Sequence, residues 1–251
     1  MEKHRLPDTP FWVDPDSVAS DHLTLSPEES HHLLHVHRAR EGTPFEAIDG
    51  RGNFYRCSIR SVERRAVVGR IVDHATDVGE LKRPIELLVG MPDWGPIEQI
   101  VEHGVPLGVS TFDFVRCERS GRLALGNQRL ARLDRIARAG LKQSRRSRLP
   151  LLRSSPSLEE AVGALRGGTR FVAHPGGRSQ PEREPPESPQ VSFSLAIGPP
   201  GGFLLEEYEL LLGERFSPIS LGPSRLTTET AALALISVVR NSFIYNELPA
   251  N

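Results

Sequence analysis

Apolar and polar positions change their rhythm near residue 80. Before it, short runs alternate with a period of two. Phe45, Glu46, Ala47, Ile48 and Asp49 lead into Gly50, and residues 54–59 alternate in the same way beyond Asn53. Asp-Gly and Gly-Asn pairs between apolar runs are hairpin signals, because these residues tolerate positive φ. Residues 66–72 read as another strand. Ser26-Pro27-Glu28-Glu29 opens a short helix, with a serine cap, a proline at the first helical position and acids facing the helix dipole. Residues 1–80 therefore predict a small β-barrel-like module with one helix.

From residue 83 the rhythm lengthens into strand–helix alternation. Strands are predicted at 85–90, 110–115, 170–173, 191–197 and 217–221. Helices are predicted at 96–103, 128–142, 158–165, 205–212 and 229–241. This order argues for an α/β domain, a mainly parallel sheet with helices on both faces, over residues 81–251. Residues 175–190 hold five prolines and no periodicity, which predicts a surface loop or lid.

Three segments of this second region are placed to carry chemistry. Ile197-Gly198-Pro199-Pro200-Gly201-Gly202-Phe203 joins an apolar strand to an acidic helix. Ligands of open α/β sheets bind outside the carboxyl ends of strands, and glycines let a backbone approach them closely. The segment is either such a cradle or a tight Pro-Gly turn; no Gly-Lys-Ser/Thr follows, so it is not a Walker loop. Leu221-Gly222-Pro223-Ser224-Arg225-Leu226 repeats the arrangement, with Thr227 or Thr228 as helix cap. The helix after it has almost no polar face, which predicts burial nearly all round. The third segment runs from 129 to 148 and holds eight basic residues and one acid, Asp134. On a helical wheel Arg132, Arg135, Arg138, Lys142 and Arg145 cluster opposite Leu130, Leu133, Ala137 and Leu141. A uniform cationic face of this kind suits phosphates, or is simply a solvated face.

Composition narrows the class. Of 251 residues, 38% are hydrophobic and 25% charged, an ordinary globular balance. The net charge of −1 lacks the basic excess of many nucleic-acid binders, so any such binding rests on local charge. Two cysteines, Cys57 and Cys117, are too few for a disulfide framework and fit a reducing compartment. Residues 1–10 lack the apolar core of a signal peptide, and no apolar run reaches membrane-spanning length, so a cytoplasmic protein without membrane contact is expected. His31, His32, His35 and His37 cluster, but no carboxylate or cysteine completes a ligand set at metal spacing, and no metal is expected.

These residues together resemble the RsmE family of SPOUT methyltransferases over nearly the whole chain. His32-Leu33, Val36, the stretch from Arg38 to Gly42, and Asp49-Gly50 match its N-terminal pattern. Gln143-Ser144, Arg146 and Pro150 match its central one. Gly198-Pro199, Gly201-Gly202-Phe203 and Glu206 resemble its first glycine loop. Leu221-Gly222, Leu226 and Thr228-Glu229-Thr230-Ala231-Ala232 resemble the second. Pro200 stands where the family has Glu, Thr227 where it has Arg, Arg145 for Gly and Lys142 for Glu. His103 and Pro106 also replace charged residues.

The resemblance implies a PUA-like RNA-binding barrel over residues 1–80, then a SPOUT domain with a C-terminal trefoil knot over 81–251. It implies S-adenosylmethionine as cofactor, held by Ile197, Gly198, Gly201, Gly202, Leu221, Gly222, Leu226 and Thr228. It implies a homodimer that methylates N3 of a uridine in 16S ribosomal RNA, free or within the small subunit, with Arg38 and the basic helix on the RNA. Because Thr227 lacks charge, Arg225 or Arg146 is expected to supply the cation that favours the uridine anion. Two further readings share these features: an RNA-binding protein that keeps the cofactor and has lost transfer, and a methyltransferase of another RNA.

Overall fold

The computed structural model describes residues 9–121, 125–179 and 192–244. They form two compact units, one of Met1–Glu80 with Arg138–Leu149, the other of Leu81–Ala137 with Pro150–Asn251.

The first unit is a five-stranded sheet. Its strands are β1 (Phe11–Trp12), β2 (His22–Thr24), β3 (Pro44–Ile48), β4 (Asn53–Glu63) and β5 (Ala66–Thr76), in the order β1-β3-β4-β5-β2. β1 runs parallel to β3 and the other ladders are antiparallel. The β3–β4 turn forms where Asp49-Gly50 predicts it. The Asp49 carboxylate accepts from Arg51 N–H at 2.8 Å and Asn53 N–H at 3.1 Å, while Gly50 sits at φ +74°. Arg64 and Arg65, at φ +47° and +71°, turn the β4–β5 hairpin without a glycine to announce it. Helix α1 (Pro27–His31) starts as expected, its Ser26 hydroxyl accepting from Glu29 N–H at 3.2 Å. Phe11, Leu23, Leu33, Phe45, Ile59 and Val67 fill the core with their neighbours.

The second unit carries a six-stranded sheet in the order β11-β9-β10-β6-β7-β8. The strands are β6 (Ile85–Gly90), β7 (Val109–Val115), β8 (Leu151–Ser155), β9 (Thr169–Arg178), β10 (Phe193–Ile197) and β11 (Phe216–Ile219). Every ladder between them is parallel. Helices α2 (Trp94–Gly104), α3 (Asn127–Ser144), α4 (Leu158–Gly163), α5 (Leu205–Gly213) and α6 (Thr228–Val239) alternate with the strands, and α3 continues into the segment that belongs to the first unit.

Three expectations are corrected. The edge strand β8 was not expected, because its short Leu-Leu-Arg-Ser-Ser stretch has no strong period. The loop read at 175–190 is strand up to Arg178, and residues 180–191 lie outside the described residues. β9 extends because Gly177 packs on β11: a Cβ there would lie 2.6 Å from Ile219 N. Finally, α6 is not buried all round. Ala232, Leu235, Ile236 and Val239 are buried on one face, whereas Ala231, Leu233, Ala234 and Val238 are only half-covered.

Candidate functional site

The carboxyl ends of β6, β10 and β11, together with a bulge in β9, surround a cavity of about 870 Å³. β6 and β10 are neighbours although far apart in sequence, so the chain reverses its order of winding there. That is where open α/β sheets bind ligands.

The bulge is a matter of register. Pro218 of β11 pairs with Val172, but the next residue, Ile219, pairs with Arg178. Residues 173–177 leave the ladder, and Ala173, His174 and Pro175 reach the cavity wall. The His174 ring stacks on Tyr208 of α5 with centroids 4.0 Å apart and planes 15° apart. Its Nδ1 accepts from Gly176 N–H at 3.1 Å, which leaves Nε2 to carry the proton of the neutral ring.

The loop after β10 is tightly built. Gly201 and Gly202 adopt φ of +94° and +79°, and Gly202 N–H donates to the Pro199 carbonyl at 2.7 Å. Gly90 ends β6 against this loop, where a Cβ would lie 2.4 Å from Pro199 N. The loop after β11 turns at Gly222, φ +106°, and leads into α6. Thr227 is the backbone cap, but its hydroxyl pairs with that of Thr230 at 2.9 Å instead of capping the helix.

Ile197, Gly198, Gly201, Gly202, Leu221, Gly222, Leu226 and Thr228 all line this cavity, and so does Arg225, which is exposed. Pro200 and Thr227 also line it. Arg146 does not. Its side chain is 3% exposed in the first unit, with Nε and Nη2 donating to Glu80 at 3.2 and 2.7 Å. This guanidinium is thus held by a carboxylate of its own unit.

The basic face of α3 is likewise largely committed. Lys142 pairs with Glu29 at 2.6 Å and Arg145 with Glu46 at 2.5 Å, while Arg148, beyond the helix, pairs with Asp77. Arg138 lies over the Trp12 ring at 4.3 Å. In the second unit Arg132 forks onto Glu98. Arg38 and Arg135 are exposed, with no ion pair among the described residues. The helical wheel located the cations correctly. It could not reveal that acids distant in sequence meet them.

Pro92, Pro96, Ala173, His174 and Pro175 are the cavity residues that sequence reasoning missed. Pro92 follows a strand end and was legible in principle. His174 was not, since only the β9–β11 register turns it toward the cavity.

The family model for an RNA methyltransferase domain matches residues 79–240, and that for an RNA methyltransferase PUA domain matches residues 25–72. The chain is similar to ribosomal RNA small subunit methyltransferase E of Synechocystis sp., with 26% identity over 92% of this chain and 77% of that protein. It is 26% identical to the protein of that name from Bacillus subtilis, over 86% of this chain and 89% of the relative. Among solved structures, a methyltransferase of Legionella pneumophila with bound cofactor SAM is 26% identical, with a TM-score of 0.78 over 94% of this chain and 98% of the other. A ribosomal RNA small subunit methyltransferase E from Neisseria gonorrhoeae shares the fold at a TM-score of 0.80 and 23% identity, over 94% and 98% of the two chains.

Proposed function

The chain belongs to the RNA methyltransferase family, and from that premise we propose that it transfers a methyl group from S-adenosylmethionine to N3 of a uridine in 16S ribosomal RNA. One observation carries this reading: all eight residues that the resemblance nominates for the cofactor line a single cavity of about 870 Å³. The volume lies within the roughly 300–1,000 Å³ of small-molecule sites. The chemistry of the wall fits as well. Two glycine turns line the cavity, and their backbone groups would hold such a ligand without needing charged side chains, so Pro200 and Thr227 do not by themselves remove that means of binding.

S-adenosylmethionine, when bound, supplies a methyl group already activated on a sulfonium. The protein's share is therefore to orient the base and exclude water. Uridine N3 bears a proton, and its loss leaves an anion delocalised toward the neighbouring carbonyl oxygens. Arg225, exposed at the cavity wall, is the cation positioned to favour that anion. Removing it by Arg225→Ala is expected to lower kcat at least tenfold while leaving cofactor affinity within about twofold, as for an interaction made only with the reacting base.

The first unit is read as the RNA-binding module, matching a PUA model over residues 25–72. The C-terminal region is read as a trefoil knot. β9 lies between β10 and β11 in the sheet, so the chain leaving β10 passes across β9 before it pairs. The half-covered face of α6 supports a homodimer. Sedimentation at micromolar concentration should then give twice the 27.8 kDa chain mass, and a stable monomer would refute the dimer. No described helix is long and apolar enough to cross a membrane.

The test pairs calorimetry with S-adenosylmethionine and a search for N3-methyluridine in small ribosomal subunits incubated with protein and cofactor. Saturable binding with the modified base supports the reading. Binding with no methylated base favours a cofactor-binding RNA protein that has lost transfer, a reading motivated by Pro200 and Thr227 in the cavity wall. A methylated base elsewhere in the RNA would mean a different target.

A further inference from the structure

The segment after β7 carries three residues, Glu118, Arg119 and Ser120, that no role described so far uses. It is a closed turn. Ser120 N–H donates to the Cys117 carbonyl at 3.0 Å, and Cys117 N–H donates to the Ser120 hydroxyl at 3.0 Å. The turn is joined to the glycine loop at two points. At the far end of that loop, Glu207 of α5 accepts from Glu118 N–H with one carboxylate oxygen and from Leu204 N–H with the other, both at 2.8 Å. In its middle, Arg119 Nη1 donates to the Gly201 carbonyl at 2.5 Å.

The middle contact matters because of what it restrains. Gly201 and Gly202 both have positive φ, and a Cβ built on Gly202 meets nothing within 4 Å. A Cβ on Gly201 would meet only Arg119 Cδ, at 3.5 Å, so without that side chain the peptide between the two glycines rotates at little cost. A peptide unit is planar, so fixing its carbonyl also fixes the N–H on its other side. That N–H is Gly202's, which donates to Pro199. Arg119 itself does not line the cavity, so it acts on a ligand there only through the loop.

We propose that Arg119 is a positioning residue for the cofactor: by holding the Gly201 carbonyl it keeps residues 198–202 in their binding form, and it governs cofactor affinity rather than RNA affinity. The affinity half of this inference rests on the cavity being the S-adenosylmethionine site. The loop-holding half does not.

The experiment therefore has two readouts on the full-length wild type, Arg119→Ala and Arg119→Lys. The first is amide hydrogen exchange over residues 198–204 without ligand. The second is calorimetric affinity for S-adenosylmethionine, with the KM for cofactor and for RNA. Arg119→Ala should speed exchange in this loop while leaving the strands protected. It should weaken cofactor binding about tenfold, about 1.4 kcal/mol, and raise the cofactor KM by a similar factor without changing the RNA KM. Arg119→Lys, with one ammonium donor in reach of the carbonyl, should recover part of both effects. Unchanged loop exchange in Arg119→Ala would overturn the proposal. So would a raised RNA KM with normal cofactor affinity, which would make Arg119 an RNA contact. If wild-type protein bound no cofactor, the reading of the cavity would fall, while faster loop exchange in Arg119→Ala would still uphold its hold on Gly201.

Discussion

A Cβ at Gly198 would lie 2.8 Å from Phe203 N and 2.9 Å from Gly202 Cα, and both neighbours are backbone. No rotamer change relieves such a contact, so the loop itself has to move. Gly198→Ala is therefore expected to cost about 1–3 kcal/mol of stability and to weaken S-adenosylmethionine binding more than tenfold, read by thermal unfolding and calorimetry on the same preparation. A variant with normal affinity would show that the loop's shape is not what binds. The glycine motif was visible in the sequence. The reason for this particular glycine was not, because it lies in a backbone contact between residues 198 and 202–203.

Buried charge decides matters at the level of elements. Glu86 lies inside β6, and burial raises its carboxyl above the ordinary range, opposed by the Ser194 hydroxyl and by nearby Arg153 and Arg166. A raised folded-state pKa means the folded protein holds this proton more tightly than the unfolded chain. The group's contribution is then favourable below the unfolded pKa and is lost as pH rises through the folded one. Glu86→Gln removes that loss. Its unfolding midpoint should exceed the wild type's at pH 7, with the gap narrowing toward pH 4; a gap that grows on acidification would contradict the assignment. At the end of α3 a carboxylate is held by several donors at once. Glu80 takes the Arg146 guanidinium and also accepts from Ser147 N–H at 3.0 Å and Arg148 N–H at 2.8 Å. Arg146→Ala leaves that carboxylate without its enclosed counter-ion and should cost about 3–5 kcal/mol in denaturant titration. The same change at the half-exposed Arg145 should cost less, because Glu46 keeps a second cation, Arg56, at 3.8 Å.

Across the whole molecule these pairings change what the charge can do. If Arg38, Arg132, Arg135, Arg138, Lys142 and Arg145 all met phosphates, single-stranded RNA affinity would fall with log salt at a slope near −4, at about −0.7 per contact. Three of the six hold carboxylates instead. A slope shallower than about −2 is expected from filter binding across a salt series, and a slope near −4 would mean that RNA displaces the internal pairs. Periodicity alone determined the change near residue 80 from an alternating β module to a parallel α/β sheet, since hydrophobic period reports which side of each element is covered. It also determined the two glycine turns, because positive φ and close approach are local demands. Tertiary structure alone decided that Arg138–Leu149 joins the first unit, because each of its cations meets a partner distant in sequence. It alone decided that His174 reaches the cavity, that α6 keeps a half-covered face, and that Arg119 meets Gly201. Register, burial and pairing arise between segments far apart along the chain, and a pattern read along one segment carries no record of them.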